Sequence, residues 1–157
     1  MITERTIVHY LGTALVAGVL GAAAMEFVMW LISRANWVKG SMIVALGSLF
    51  TRSRTHAFRT GVVVHATSAI GFALLYTLLM DACGLARFPG AFFAGIGFGV
   101  IHGMMVSLAL VWIVAERHPL EEFTDAGFAV GLTHFAGHVA YGAVVGLVIA
   151  LAAFLRG

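Results

Sequence analysis

Five ionisable side chains lie inside long apolar stretches of this sequence, where a charge is costly and by default marks a functional site. They are Glu26, His65, His102, His134 and His138. Imidazoles and carboxylates bind transition metals, and imidazole also exchanges protons near neutral pH. We therefore treat these five residues as the candidate site of the protein.

Three kinds of chemistry fit this set of side chains. Two or three imidazoles with a carboxylate suit a divalent transition metal such as zinc or iron(II). Two facing imidazoles would instead serve as the axial ligands of a b-type haem. Alternating Glu and His side chains also form a proton relay without any metal. The competing structural interpretation is that each histidine only hydrogen-bonds a neighbouring helix.

The five residues continue rows of small residues at helical spacing. Glu26 lies four residues after Ala22, and His138 lies four residues before Gly142. Small residues four apart let helix backbones approach closely in lipid, where the hydrophobic effect does not drive helix association. If these rows face neighbouring helices, the polar side chains face the centre of the bundle together.

Helical rise also sorts the five residues by depth, counted from the membrane face that carries the first and third loops. Glu26, His65 and His134 lie about 8–12 Å deep. His102 and His138 lie about 18–20 Å deep, near the middle of the bilayer. We predict that Glu26 is near His65. We also predict that His102 and His138 approach closely enough to share a ligand, a proton or a bridging water.

The elements that must position these residues are transmembrane helices. The chain is 61% hydrophobic and only 10% charged, with a mean hydropathy of +1.02, whereas soluble domains are about a quarter charged. Each apolar stretch has about 20 residues or more, enough to cross about 30 Å of hydrocarbon as a helix. The sequence predicts an all-α membrane four-helix bundle forming one domain over 1–157. Its predicted spans are 7–33, 60–80, 90–115 and 126–155.

The first loop predicts both a fifth helix and the orientation of the chain. Its apolar residues recur at helical spacing among polar ones over 36–54, which favours a short amphipathic helix at the membrane interface. Basic residues concentrate on the side of the first and third loops. By the positive-inside rule, this side is cytoplasmic, in a membrane of the bacterial inner-membrane type, and both termini are outside. The side predicted to be cytoplasmic carries Arg34, Lys39, Arg52, Arg54, Arg59 and Arg117, against Arg5, Arg87 and Arg156 opposite.

Several function classes are disfavoured by what the sequence lacks. Cys83 is the only cysteine, so an internal disulfide is impossible. The chain has no phosphate-binding glycine loop, no HExxH motif and no Gly-x-Ser-x-Gly elbow, so we do not expect an ordinary hydrolase or nucleotide enzyme. The basic residues at the membrane ends indicate lipid contacts rather than nucleic acid. The remaining histidines are predicted to be solvated or interfacial, and three aromatic residues to anchor the interface: His9, His56 and His118, and Trp37, Tyr76 and Trp112.

The order of polar, aromatic and glycine residues along the chain resembles that of the YagU-like family of small inner-membrane proteins. The resemblance implies a membrane fold. Because that family is linked to acid tolerance, the resemblance also directs attention to the Glu and His positions. It implies no particular reaction. The residues that carry it are Glu26; His65 with Phe72, Ala73 and Tyr76; Gly90 to Gly95 leading to His102; and Gly137 with His138.

Three functions therefore stay open on the sequence alone. The first is an intramembrane Glu/His site that holds a transition metal or haem. The second is a non-catalytic accessory subunit of a larger redox or energy-converting membrane complex, in which the glycine rows serve assembly. The third is a proton-linked transporter or channel subunit, which would need oligomerisation because four short helices enclose little pore. The expected partners are the lipid bilayer and either another membrane protein or a second copy of the chain.

Overall fold

A computed structural model describes residues 4–35 and 41–156, and this part of the chain contains helices and no strand. Helix α4 continues into a π-helical turn, Leu110–Val114, and a short 3-10 turn, Glu121–Phe123, lies in the loop that follows. The predicted all-α fold is confirmed. The five α-helices are α1 (Glu4–Arg34), α2 (Met42–Thr51), α3 (Ala57–Ala82), α4 (Gly90–Ala109) and α5 (Phe128–Phe154).

Four of the helical segments are long and apolar enough to cross a membrane. They have 25 to 28 residues each, which corresponds to about 38–42 Å of helix against about 30 Å of hydrocarbon. These helices indicate a multi-pass membrane protein. The segments are Ile7–Arg34, Ala57–Ala82, Gly90–Val114 and Phe128–Phe154, which agree closely with the four predicted spans.

Helix α5 occupies the centre of the arrangement, packing along α4 on one side and along α1 on the other. Helix α1 also packs along α3, and α2 lies against α3. Helices α3 and α4 contact each other only sparsely. The four long helices therefore form an incomplete ring, with a gap between α3 and α4.

The contact between α4 and α5 is built on facing glycines. A Cβ atom added to Gly95 would overlap the backbone oxygen of Gly142, and one added to Gly142 would overlap the backbone oxygen of Gly95. Gly146 faces the backbone of Ala91 in the same way. The prediction that small-residue rows mediate close helix packing is confirmed for this pair of helices.

The helix predicted in the first loop is also present. Helix α2 begins after Ser41, whose hydroxyl accepts a hydrogen bond from the Val44 N–H at 3.4 Å, and ends at Arg52 in the left-handed region, with φ of 53°. Its buried Gly47 packs on the backbone at Ala57, where α3 begins. Trp37 and Lys39, at the start of the predicted segment, lie outside the described residues.

Candidate functional site

For two histidines on α5, hydrogen bonds to the backbone of the same helix determine which ring nitrogen carries the proton. His134 Nδ1 lies 2.7 Å from the carbonyl oxygen of Val130, and His138 Nδ1 lies 2.8 Å from the carbonyl oxygen of His134. Because a carbonyl can only accept, each Nδ1 carries the proton and donates. In the neutral ring, the Nε2 atoms of His134 and His138 are then hydrogen-bond acceptors.

The Nε2 atom of His134 has no hydrogen-bond partner among the described residues, although it is fully buried. The whole residue is only 1% exposed. A buried acceptor left unpaired costs about 1–3 kcal/mol. This atom is therefore a buried acceptor for which the described part of the chain supplies no donor.

His102 and His138 meet between α4 and α5, as the sequence predicted. Their ring centroids are 4.5 Å apart in an edge-to-face arrangement. The approach is possible because Gly99 and Gly103 of α4 face the backbone and Cβ of His138, where a larger residue would leave no space. The prediction that these two histidines lie close together is confirmed, whereas the shared ligand, proton or water stays a prediction.

Aromatic side chains hold His102 in place. Its Nδ1 lies 3.3 Å from the hydroxyl oxygen of Tyr76, and its ring centroid lies 3.9 Å from that of Phe72. Tyr141 packs edge-on against Tyr76 and donates its hydroxyl proton to the carbonyl oxygen of Ala69 at 2.6 Å. These contacts connect α3, α4 and α5 at the depth of His102.

Glu26 and His65 are neighbours too, which confirms the prediction made from their depth. Glu26 Oε1 and His65 Nε2 are 3.5 Å apart. Both atoms are buried, and neither forms a hydrogen bond with any described residue. The side chain of Glu26 is nevertheless 42% exposed, and it lies in a groove on the outer side of the bundle. Glu26 is therefore separated from the other histidines by His65.

The four histidines His65, His102, His134 and His138 line one cavity of about 390 Å³. The cavity lies between α3, α4 and α5, at the end of the bundle that α2 and the third loop cover. Apart from the histidines, its walls are mainly apolar, and the third loop contributes polar side chains at the covered end. The apolar lining includes Met42, Leu46, Leu49, Phe72, Leu110 and Phe123, and the polar residues of the loop are His118, Glu122 and Asp125.

The cavity reaches only part of the way through the bundle. Its deepest lining residues are Phe72 on α3, His102 on α4 and Tyr141 on α5. No described residue of α3 after Phe72, of α4 before His102 or of α5 after Tyr141 lines the cavity. The half of the bundle nearer the second loop therefore does not contribute to it. That half is filled by buried apolar side chains, namely Ala14, Ala17, Ala73, Met80, Val145 and Ile149. The cavity is therefore blind rather than a continuous channel.

An ion pair links the turn after α2 to the third loop beside the cavity. Arg54 donates from Nε to Glu122 Oε1 at 2.7 Å and from Nη2 to Oε2 at 2.5 Å. These hydrogen bonds lower the pKa of the Glu122 carboxyl and raise that of the Arg54 guanidinium. His118 adds a second link, because its Nε2 lies 3.1 Å from the carbonyl oxygen of Ala45.

Two residues were assigned the wrong environment from sequence. Tyr76 was predicted to anchor the interface, but it is 3% exposed and contacts His102. His118 was predicted to be solvated or interfacial, and the solvated alternative is wrong, because the side chain is buried between the third loop and α2. The sequence does contain a signal for the burial of Tyr76: it lies three residues after Ala73, on the row of α3 that faces inward. No comparable periodicity exists in the loop that holds His118.

The donor geometry does not support the metal and haem hypotheses. Within the described ranges, no group of three or more His, Cys, Asp or Glu side chains is arranged to hold a metal ion. The edge-to-face contact of His102 and His138 leaves no space for a porphyrin between the two rings. Of the five residues that the sequence singled out, the four histidines thus line one cavity, and Glu26 lies with His65 on a neighbouring groove.

No family model, curated protein or solved structure matches this chain. The resemblance to the YagU-like family therefore stays a prediction from the sequence.

Proposed function

We propose that this protein binds a small amphipathic molecule within the membrane, in the cavity lined by the four histidines. The observation that carries the proposal is the fully buried Nε2 acceptor of His134, which has no hydrogen-bond partner in the described chain. The cavity beside it, of about 390 Å³, falls within the size range of small-molecule sites, about 300–1,000 Å³. An occupant whose hydrogen-bond donor reached this nitrogen would remove the cost of the unpaired acceptor.

The lining also defines the chemical class of the occupant. The Nε2 atoms of His134 and His138 accept hydrogen bonds, so the polar end of the ligand must donate, as a hydroxyl or an N–H group does. Apolar side chains such as Leu46 and Phe72 form the walls and favour an apolar body. A molecule with a hydroxyl head and an apolar ring or chain fits both requirements.

The blind shape favours binding over conduction through a single copy of the chain. A channel needs a continuous polar path, and the cavity ends at the packed apolar half of the bundle. Proton-linked transport would require the packed apolar half of the bundle to open. An accessory-subunit role would require a surface that contacts a partner. Both stay predictions, as does metal binding by Glu26 and the histidines.

Binding can be tested with a pair of probes that differ only in donor ability. We expect 1-naphthol to bind the protein in lipid nanodiscs about tenfold more tightly than 1-methoxynaphthalene, which cannot donate. Equilibrium dialysis against protein-free nanodiscs measures both affinities. His134→Phe should remove the preference for 1-naphthol. Thr133→Val is the matched control, because Thr133 is a buried neighbour whose hydroxyl bonds, among the described residues, to Ala129 of its own helix alone.

Two results would contradict the proposal. One is equal affinity of the wild-type protein for the two probes. The other is an undiminished preference for 1-naphthol in a folded His134→Phe variant. In that second case ordered water would be the partner of His134, and the cavity would not use this residue to bind ligands.

The orientation of the chain is part of the same proposal. The positive-inside rule places the first loop, and with it the covered end of the cavity, in the cytoplasm. The exposed Cys83 lies just after α3, in the second loop on the opposite side. We expect a membrane-impermeant maleimide to label Cys83 in intact bacterial cells that express the protein. A Cys83→Ser, Thr55→Cys variant should be labelled only after permeabilisation, and the reverse pattern would invert the orientation.

A further inference from the structure

A second concave site lies on the outer side of the bundle, bounded by α1, α2 and α3. It encloses about 380 Å³, and Glu26 and His65 lie together on its wall. Small residues of α1, Gly18 and Ala22, also line it. His65 borders both this groove and the histidine cavity, so the two sites are adjacent but separate.

Glu26 lies at a depth where a lipid-facing carboxylate is unusual. It is eight residues before Arg34, the last residue of α1, which corresponds to about 12 Å along the helix. Its side chain is 42% exposed. Acidic side chains inside a span almost always pair with another group or face the protein interior. Among the described residues, no lysine or arginine forms an ion pair with Glu26.

His65 lies within ion-pair distance of the carboxylate but does not hydrogen-bond to it. The 3.5 Å separation of His65 Nε2 and Glu26 Oε1 exceeds ordinary hydrogen-bond lengths, and neither atom has a hydrogen-bond partner in the described chain. A carboxylate offers about four acceptor positions, so a single imidazole at this distance leaves most of them unused. The exposed part of Glu26 is therefore accessible to a cation or a donor from outside the described residues.

We infer that this groove binds a cationic amphiphile, a single ammonium group that carries an apolar chain. Glu26 would pair with the ammonium group, which supplies a permanent positive charge. The apolar side chains of Phe58, Val62 and Val19 line the remainder of the groove and contact the chain. An uncharged lipid chain would leave the carboxylate unpaired, and charge complementarity therefore selects the ammonium compound. This inference does not depend on ligand binding at His134.

The test uses three probes with the same twelve-carbon chain: dodecyltrimethylammonium, dodecylammonium and dodecanol. Binding is measured with radiolabelled probes on protein in zwitterionic lipid nanodiscs, after subtraction of the partitioning into empty nanodiscs. We expect saturable binding of both ammonium probes and none of dodecanol. Glu26→Gln should weaken ammonium binding about tenfold or more. Glu121→Gln is the matched control, because Glu121 is exposed and lies in the third loop, away from the groove.

A second variant keeps the test valid if Glu26→Gln fails to fold. Val19 is 52% exposed and lines the groove, so Val19→Trp should fill the groove without removing the charge and should also abolish binding. His134→Phe should leave ammonium binding unchanged, which separates this site from the histidine cavity. The inference is overturned by the absence of saturable binding to the wild-type protein, or by equal binding to folded Glu26→Gln. It is also overturned if the wild-type protein is a dimer that dissociates on Glu26→Gln substitution, because a second copy would then cover the groove.

Discussion

The two ends of the bundle contain the same long helices but pack differently. At the end that holds the second loop, the glycines of α4 face the glycines of α5, and the backbones are in direct contact at Gly95 and Gly142. At the end that holds the first and third loops, Gly103 instead faces His138, and α3 stands apart from α4 around the cavity. Small residues therefore give a closed interface where they face each other. Where they face an imidazole, they provide space for the ring.

The cavity end also departs from regular helical geometry. Helix α4 passes into a π-helical turn at Leu110–Val114, in which the Ala115 N–H donates to the Leu110 carbonyl oxygen at 2.9 Å. Leu110 and Val114 line the cavity. Single π-helical turns are frequent at functional sites. Under the proposed function, one half of the bundle provides stability and the other provides the binding site.

The largest expected effect comes from an alanine substitution at Gly142, in the middle of α5, compared with one at Gly131, near the start of the same helix. Gly142→Ala places a methyl group against the backbone oxygen of Gly95, and the two helices must separate. We expect a loss of about 3 kcal/mol in the free energy of unfolding. Gly131→Ala on the same helix meets mainly the side chain of Val111 at 3.1 Å, which can move, so we expect a loss below about 1 kcal/mol.

Unfolding of both glycine variants by sodium dodecyl sulfate in mixed micelles measures this difference. Gly97→Ala on α4 serves as a further control, because a Cβ atom there meets nothing within 4 Å. Equal losses at Gly142 and Gly131 would show that the two ends do not differ in packing as described.

A smaller effect of opposite sign is expected at the cavity end. His134→Leu replaces a buried ring with an unpaired Nε2 atom by an apolar side chain. Without ligand, we expect the free energy of unfolding to rise by about 1 kcal/mol, because the unpaired acceptor is removed. The same mixed-micelle titration tests it. Thr133→Val, which removes a hydroxyl already paired with the carbonyl oxygen of Ala129, should not stabilise the protein. Destabilisation by His134→Leu would indicate that the ring is fully satisfied, for example by ordered water.

The smallest effect concerns the exposed ion pair beside the cavity. Arg54 lowers the pKa of the Glu122 carboxyl. The pairing is therefore fully present above the usual glutamate pKa and is lost as the pH falls through the lowered value of the folded protein. Carbon NMR titration of Glu122 should show a pKa that rises towards its usual value in Arg54→Gln. High salt should reduce the difference, because both side chains are exposed. An unchanged Glu122 titration in Arg54→Gln would show that the pair does not form in solution.

The sequence determined the spans and the depth of each polar residue. A bilayer imposes a common length on every crossing helix, so counting residues from one membrane face places side chains of different helices in the same layer. This reasoning brought Glu26 to His65 and His102 to His138, and both pairs are neighbours in the structure. The identification of helices was equally secure, because backbone groups in lipid must be paired within the segment.

The depth of a residue does not determine the direction in which its side chain points around the helix axis. Only the tertiary structure decided that direction. Tyr76 faces inward and Glu26 faces an outer groove, because α5 lies between α1 and α4 and leaves α3 at the edge of an incomplete ring. Each helix has several apolar faces, and sequence periodicity cannot select which of them meets a neighbour when lipid and protein are equally apolar. The cavity, its blind end and the separation of Glu26 from the other histidines all follow from that order of packing.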